Sequence, residues 1–269
     1  MADIKGLKNR IRSIDSTLHL TKAMGLVASA KIRGATLAMN KTRQYASALE
    51  TSINALTGAK ECEKSVYMRR LDTGKTCLVV IAGDRGLAGG YNSNMFKLVQ
   101  QYPDAEIIPI GKRTCEKYSR DIVRTESFDY SAAIDLAKRL CDRFRDGGYS
   151  KICIAFTEYV SMMTQTPVIK NILPLQKAGI PNNTGVIYEP DEVTVLEAVI
   201  EEYVASQLFT AAREGFVCEL VARRFAMDSA GKNATQMKDD LRLLYNRARQ
   251  GAITQEITEI VAGSGELGR

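Results

Sequence analysis

Proline is missing from residues 1–102 and 191–269; all six prolines (Pro103, Pro109, Pro167, Pro174, Pro181, Pro190) fall between them. A proline in a helix interior costs about 3 kcal/mol, so both ends are free to form long uninterrupted helices. Histidine is nearly missing too. His19 alone cannot complete a serine–histidine–acid set, and its place beside an apolar seam predicts an ordinary helix-surface residue. The six cysteines (Cys62, Cys77, Cys115, Cys141, Cys153, Cys218) show no C-x-x-C and no Cys/His ligand spacing. They read as free thiols in a reducing compartment. No apolar run has the length of a membrane span, and the charged, amphipathic N-terminus has no secretory h-region.

The N-terminal third carries a seam of apolar or small residues that steps by three and four from Ile4, Leu7, Ile11, Ile14 and Leu18 through Thr21, Gly25, Ala28, Ile32, Ala35, Met39, Thr42, Ala46 and Leu49 to Ile53 and Leu56. This is a sustained coiled-coil pattern on a helix about 80 Å long. Small residues in its middle let a partner helix approach closely but bury less area. The middle is therefore expected to be held less tightly than Ile4–Leu18.

The C-terminal segment reads as the partner helix. Asp191 is its expected N-cap and Glu192 lies in its first turn. Its seam runs Val204, Leu208, Ala211, Gly215, Cys218, Ala222, Phe225. Gly215, Gly231 and Gly251 each cost about 1 kcal/mol in a helix, which close approach to the first helix would justify. Residues 1–56 hold nine Lys or Arg and three Asp or Glu; residues 191–269 hold nine and thirteen. Opposite charge favours an antiparallel pair, though weakly. The expected register faces Ala28 with Ala248. The last turns carry Ile253, Ile257 and Ile260 beside Thr254, Gln255 and Glu256, a mixed tip suited to insertion into a partner.

The middle alternates strand and helix: strands at 76–82, 105–111 and 151–157, helices near 91–101, 112–119 and 131–145, and an edge strand at 168–175. The fold class is α/β, a Rossmann-like domain at 59–190 between coiled-coil helices at 1–58 and 191–269. Gly74-Lys75-Thr76 imitates the end of a P-loop, but the required earlier glycine is Arg69 and the tripeptide enters a strand. The loop Gly83–Gly90 follows a strand as phosphate loops do, without G-x-G-x-x-G spacing. Asp84 and Arg85 could form a local pair there. No active site, cofactor site or metal site is expected.

Three segments carry a resemblance: Thr21-Lys-Ala-Met-Gly-Leu-Val-Ala-Ser-Ala-Lys31; Asp84-Arg-Gly-Leu-Ala-Gly-Gly-Tyr-Asn92; and Ala226-Met-Asp-Ser-Ala230 with Tyr245–Val261. They resemble the gamma subunits of F-type ATP synthases, along the whole chain. The resemblance implies a central rotor stalk that couples proton flow to ATP synthesis or hydrolysis on a ring of alpha and beta subunits and helps regulate ATPase activity. Partners implied are that ring, an epsilon subunit and the membrane ring of c subunits, with no insertion into the membrane and no nucleic acid. It implies contact or coupling roles for Lys22, Met24, Asp84, Arg85, Arg223, Gln250, Thr254 and Glu256. The place implied is the cytoplasmic face of a bacterial plasma membrane, since no transit peptide is present. Gly25 replaces a usually larger residue, Ala88 replaces a common cysteine, and no cysteine-bearing insert is present, so thiol switching is not expected.

Two other readings stay open on the residues alone. A dinucleotide-dependent enzyme would bind nucleotide as the isolated chain. A nucleic-acid-binding coiled coil would use Lys5, Lys8, Arg10, Arg12, Lys22, Lys31 and Arg33, with steep salt dependence.

Overall fold

The computed structural model describes residues 4–69, 74–177 and 186–266, with side chains as far as Val261. Pro181 lies outside the described residues. The elements are α1 (Ile4–Thr57), two short 3-10 turns (Glu61–Lys64 and Val66–Met68), β1 (Lys75–Ile81), α2 (Tyr91–Val99), β2 (Glu106–Ile110), α3 (Lys112–Lys117), α4 (Tyr130–Arg145), β3 (Tyr149–Tyr159), β4 (Gln165–Leu173) and α5 (Glu192–Glu266). Both long helices lie in the proline-free ends, α1 taking up the first half of its segment and α5 nearly all of its own. Asp191 caps α5: its carboxylate accepts from the Thr194 N–H at 2.9 Å and the Thr194 hydroxyl at 2.8 Å.

Contacts divide the chain into two units, Ala28–Arg223 and the two ends Met1–Val27 with Arg224–Arg269. The larger unit is an α/β sandwich. Its sheet has the order β2-β1-β3-β4, with β1 parallel to β2 and β3, and β4 antiparallel to β3. Pro109 and Pro167 lie in the two edge strands, where a missing N–H is tolerated. Alternate residues divide the faces. Cys77, Val79, Ile81, Ile152 and Ile154 pack with α4 and α5; Leu78, Val80, Ala82, Cys153 and Ala155 pack with Met95 and Val99 of α2. β3 and β4 form a longer hairpin than their apolar runs indicate, closed by the Ser161 N–H bonding to the Thr164 carbonyl at 3.0 Å. Gly74 turns into β1 at φ +113°, so the P-loop imitation is a strand entry.

Every seam position of α1 is buried or half-buried. The expected gradient is reversed, however. Ile4–Leu18 are only half-buried, whereas Ala28, Met39, Ala46, Ile53 and Leu56 are buried. Within the larger unit the seam meets α5 and the α/β core together: Met39 packs with Val217, Leu220 and Val221, and Ile53 and Leu56 join the main core. For the same reason α5 is buried almost all round from Tyr203 to Val221 rather than along one stripe. Gly215 approaches the α/β core and not α1. A Cβ there would lie 3.2 Å from the Tyr91 hydroxyl and 3.3 Å from Ile81.

In the smaller unit the first part of α1 runs antiparallel to the last part of α5. Lys238 pairs with Asp15. A Cβ on Gly231 would lie 3.8 Å from Thr21 and 3.9 Å from Leu18, and one on Gly25 would lie 3.6 Å from Met227. Gly231 thus approaches the first helix as expected, whereas Gly251 has no neighbour within 4 Å. Followed along the helices, this register sets Ala248 opposite the start of α1, near Ile4, so the expected facing of Ala28 with Ala248 is out of step. Met227, not Phe225, is the buried residue there; Phe225 is 41% exposed. His19 is an exposed helix residue beside Asp15.

Candidate functional site

In a doubly wound sheet a ligand crevice opens beyond the carboxyl ends of the strands, where connections leave in opposite directions. In the order β2-β1-β3 that point is the end of β1, the start of the Gly83–Gly90 loop. Here α5 fills it. The Glu219 carboxylate accepts from the backbone N–H groups of Asp84 and Arg85, both at 3.0 Å. The Gly83 N–H goes to the Asn92 side chain at 2.9 Å. Cys218 reaches the Thr157 carbonyl of β3 at 3.4 Å, and Glu214 accepts from the Tyr159 N–H at 3.2 Å. The donors that would cradle a phosphate therefore already hold a carboxylate of the same chain. Glycine at 83 leaves room for this packing, since a Cβ would come within 2.9 Å of the Glu219 side chain and displace it.

Arg223, one helical turn beyond Glu219, bonds to that carboxylate and sends Nε and Nη2 to the Gly86 carbonyl at 3.3 and 3.2 Å. Both side chains are more than nine-tenths buried. Buried charges demand this degree of pairing. Beneath the loop, Tyr91 donates to the Gly215 carbonyl at 2.8 Å, and full burial pushes its phenol well above the ordinary range.

Asp84 and Arg85 turn to different partners. The Asp84 carboxylate accepts from the backbone N–H groups of Lys112, Thr125 and Glu126 at 2.9, 3.0 and 3.0 Å. Arg85 faces Glu126 at 3.7 Å, which Lys31 also engages at 2.7 Å. The Lys31 ammonium holds the Glu126 carboxyl below its usual range. Beyond them Leu87 stands at φ +60° and 62% exposed, the apolar tip of the loop. Gly111, at φ +102°, passes so close to Ala82 that a Cβ would sit 2.0 Å from its carbonyl oxygen.

Asp84, Arg85 and Arg223 are thus brought together in the larger unit. The others lie in the smaller one. Lys22 is exposed and Met24 half-buried on α1; Gln250, Thr254 and Glu256 are exposed on α5. These two groups are not adjacent: Gly25 faces Met227, and Gln250 lies more than 20 residues further along α5, roughly 30 Å. Ile253, Ile257 and Ile260 are 45%, 56% and 71% exposed, so the tip is a mixed polar and apolar surface. Glu219 escaped the sequence reading. The signal was a carboxylate inside the apolar stretch Gly215–Val221, a stretch that only burial explains.

All six cysteines are buried and free, and burial raises each thiol, those of Cys77 and Cys141 to about 12. Among the described residues no cluster of His, Cys, Asp and Glu could hold a metal ion, and no helix is long and apolar enough to cross a membrane.

A family model described as ATP synthase matches residues 3–267. The ATP synthase gamma chain of Ruminococcus albus is 36% identical over 98% of both chains, and that of Moorella thermoacetica is 35% identical over 99% of this chain and all of its own. The chain belongs to the ATP synthase gamma chain family. A gamma chain serves its ATP synthase as rotor stalk. The fold is shared with chains of the Euglena gracilis mitochondrial ATP synthase OSCP/F1/c-ring structure in rotational state 3 (TM-score 0.70, 18% identity, 98% of this chain and 94% of that one). It is shared also with the Tetrahymena thermophila central stalk/c-ring structure (TM-score 0.62, 19% identity, 78% and 99%).

Proposed function

We propose that the chain is the central rotor stalk of a proton-translocating ATP synthase, coupling ion flow in the membrane sector to ATP synthesis or hydrolysis on an alpha/beta ring. The observation that carries this is the Glu219-filled loop in a chain that matches gamma chains over nearly all of their length: nucleotide donors are occupied here, so the chemistry belongs to partner subunits. A dinucleotide-dependent enzyme would need those N–H groups free. The proposed partners are the alpha and beta subunits, an epsilon subunit that shares in regulating ATPase activity, and the ring of c subunits. The place is the cytoplasmic face of a bacterial plasma membrane.

In this reading residues 1–58 and 191–269 are the coiled coil and 59–190 the globular foot. Lys22 and Met24 meet a moving lever of the beta subunit, where a flexible thioether slides over changing surfaces. Gln250, Thr254 and Glu256 are exposed, and hydrogen bonds from them to the ring would form in only some rotary positions, biasing the cycle. Asp84 and Arg223 act by holding the loop, and Arg85 by presenting charge beside Leu87. The test is co-expression with alpha and beta subunits. A complex that retains this chain and hydrolyses ATP supports the stalk role. Failure to associate, or micromolar nucleotide binding by the isolated chain, overturns it.

A further inference from the structure

The larger unit ends on α5 at Arg223 and begins on α1 at Ala28, and a side-chain network stands at both places. From α5, Glu219 and Arg223 grip the loop at Asp84, Arg85 and Gly86. From α1, Lys31 grips Glu126. The two grips are joined, because the Asp84 carboxylate holds the N–H groups of Thr125 and Glu126. Thr125 is tied in turn to the end of β1 by its hydroxyl, which donates to the Ala82 carbonyl at 2.9 Å.

We infer that Glu219, Asp84, Glu126 and Lys31 form a collar that fastens both long helices to the α/β core where they leave it, with Glu219 and Lys31 as positioning residues for torque transfer. This rests on the rotor-stalk reading. Apolar packing resists turning only through the shape of the packed surfaces, because the hydrophobic term itself has no direction. Charge-assisted hydrogen bonds to backbone groups have one geometry and break when the helix turns. The α5 grip is buried and is screened little by salt. The α1 grip is exposed, 42% at Lys31 and 43% at Glu126, and is the weaker of the two. Two carboxylates thereby divide the work: Glu219 fixes α5 to the loop, and Asp84 fixes the loop to the segment that α1 holds.

The test uses the assembled complex with its membrane sector, measuring ATP hydrolysis and ATP-driven proton transport per complex. In the Glu219→Gln variant the amide keeps the shape but loses the charge and presents an N–H to an N–H. The expected result is hydrolysis within twofold of wild type with at least a twofold drop in protons moved per ATP. Lys31→Ala gives a smaller drop in the same ratio, and Lys31→Arg restores it. A merely structural role would lower complex yield and leave protons per ATP unchanged. That outcome, or a wild-type ratio in Glu219→Gln, overturns the collar. If the wild-type chain itself yields no coupled transport, the stalk reading fails and not the collar.

Discussion

Glu219 and Arg85 lie 134 positions apart, yet the carboxylate of one receives the backbone N–H of the other at 3.0 Å. The bond closes the loop that a nucleotide-binding fold leaves open. It also makes Glu219 and Arg223 a buried pair, with side chains 3% and 8% exposed.

Removing one member of a buried pair leaves the other uncompensated, at a cost of about 3–5 kcal/mol. Glu219→Ala and Arg223→Ala are each expected to lower the stability of the chain by that order in urea unfolding. The double variant should cost clearly less than the two single losses combined, since neither charge is then stranded. Additive losses would show that the two side chains act separately.

Gly251 lies inside α5, and a Cβ placed on it would meet nothing within 4 Å. Alanine fits there without contact, and the helix gains about 0.5–1 kcal/mol. Gly251→Ala is expected to raise helicity by circular dichroism and delay fraying of the tip. No gain would mean that the glycine has a neighbour in the free chain.

Thr254 returns its hydroxyl to the Gln250 carbonyl at 2.9 Å, and Glu256 is exposed. Neither side chain holds the fold. Thr254→Val and Glu256→Ala are expected to leave thermal unfolding of the isolated chain nearly unchanged and to lower ATP turnover of the assembled complex. A large drop in chain stability with normal turnover would contradict their role at the ring.

Burial raises all six thiols, and thiolate is the reactive form. A thiol reagent at pH 8 should find the native chain unreactive and six equivalents after denaturation. Rapid native modification would show that the core opens.

Several carboxyls are held below their usual range: Asp15 by hydrogen bonding to Lys238, Glu63 by Lys177, Glu126 by Lys31, and Asp191 by the Thr194 N–H. A lowered folded-state value gives stability that is fully present above the unfolded value, near 4, and is lost as pH falls through the folded one. The melting temperature should therefore fall as pH drops below about 4, and Asp191→Asn should blunt part of that fall. A melting temperature that holds steady from pH 5 to pH 3 would contradict these pairings.

The long helices were legible because their signals are local: an absence of proline, a three-and-four step, and Asp191 at the cap. The strands were legible from apolar runs, and one edge strand from Pro174 at its end, though not the edge place of the strand that holds Pro109. Register was not. A seam says which face of α1 is covered, not which residue of α5 covers it, and so it places Ala248 opposite Ala28 rather than near Ile4. The burial gradient failed for a related reason, since nothing in the seam says that the α/β core reaches α1 from Ala28 onward. In the candidate site the glycine loop was visible, but its occupant came from a distant helix. Gly215 showed the same limit: its spacing suited α1, while Tyr91 and Ile81 are what it approaches.

The central claim is that this chain turns within a catalytic ring. The direct measurement is observation of single complexes, assembled with alpha and beta subunits held to a surface and a probe fixed to the globular foot of this chain. Added ATP is predicted to drive stepwise rotation of the probe in one direction, stopping when ATP is removed. Undiminished ATP hydrolysis with a stationary probe would contradict the account.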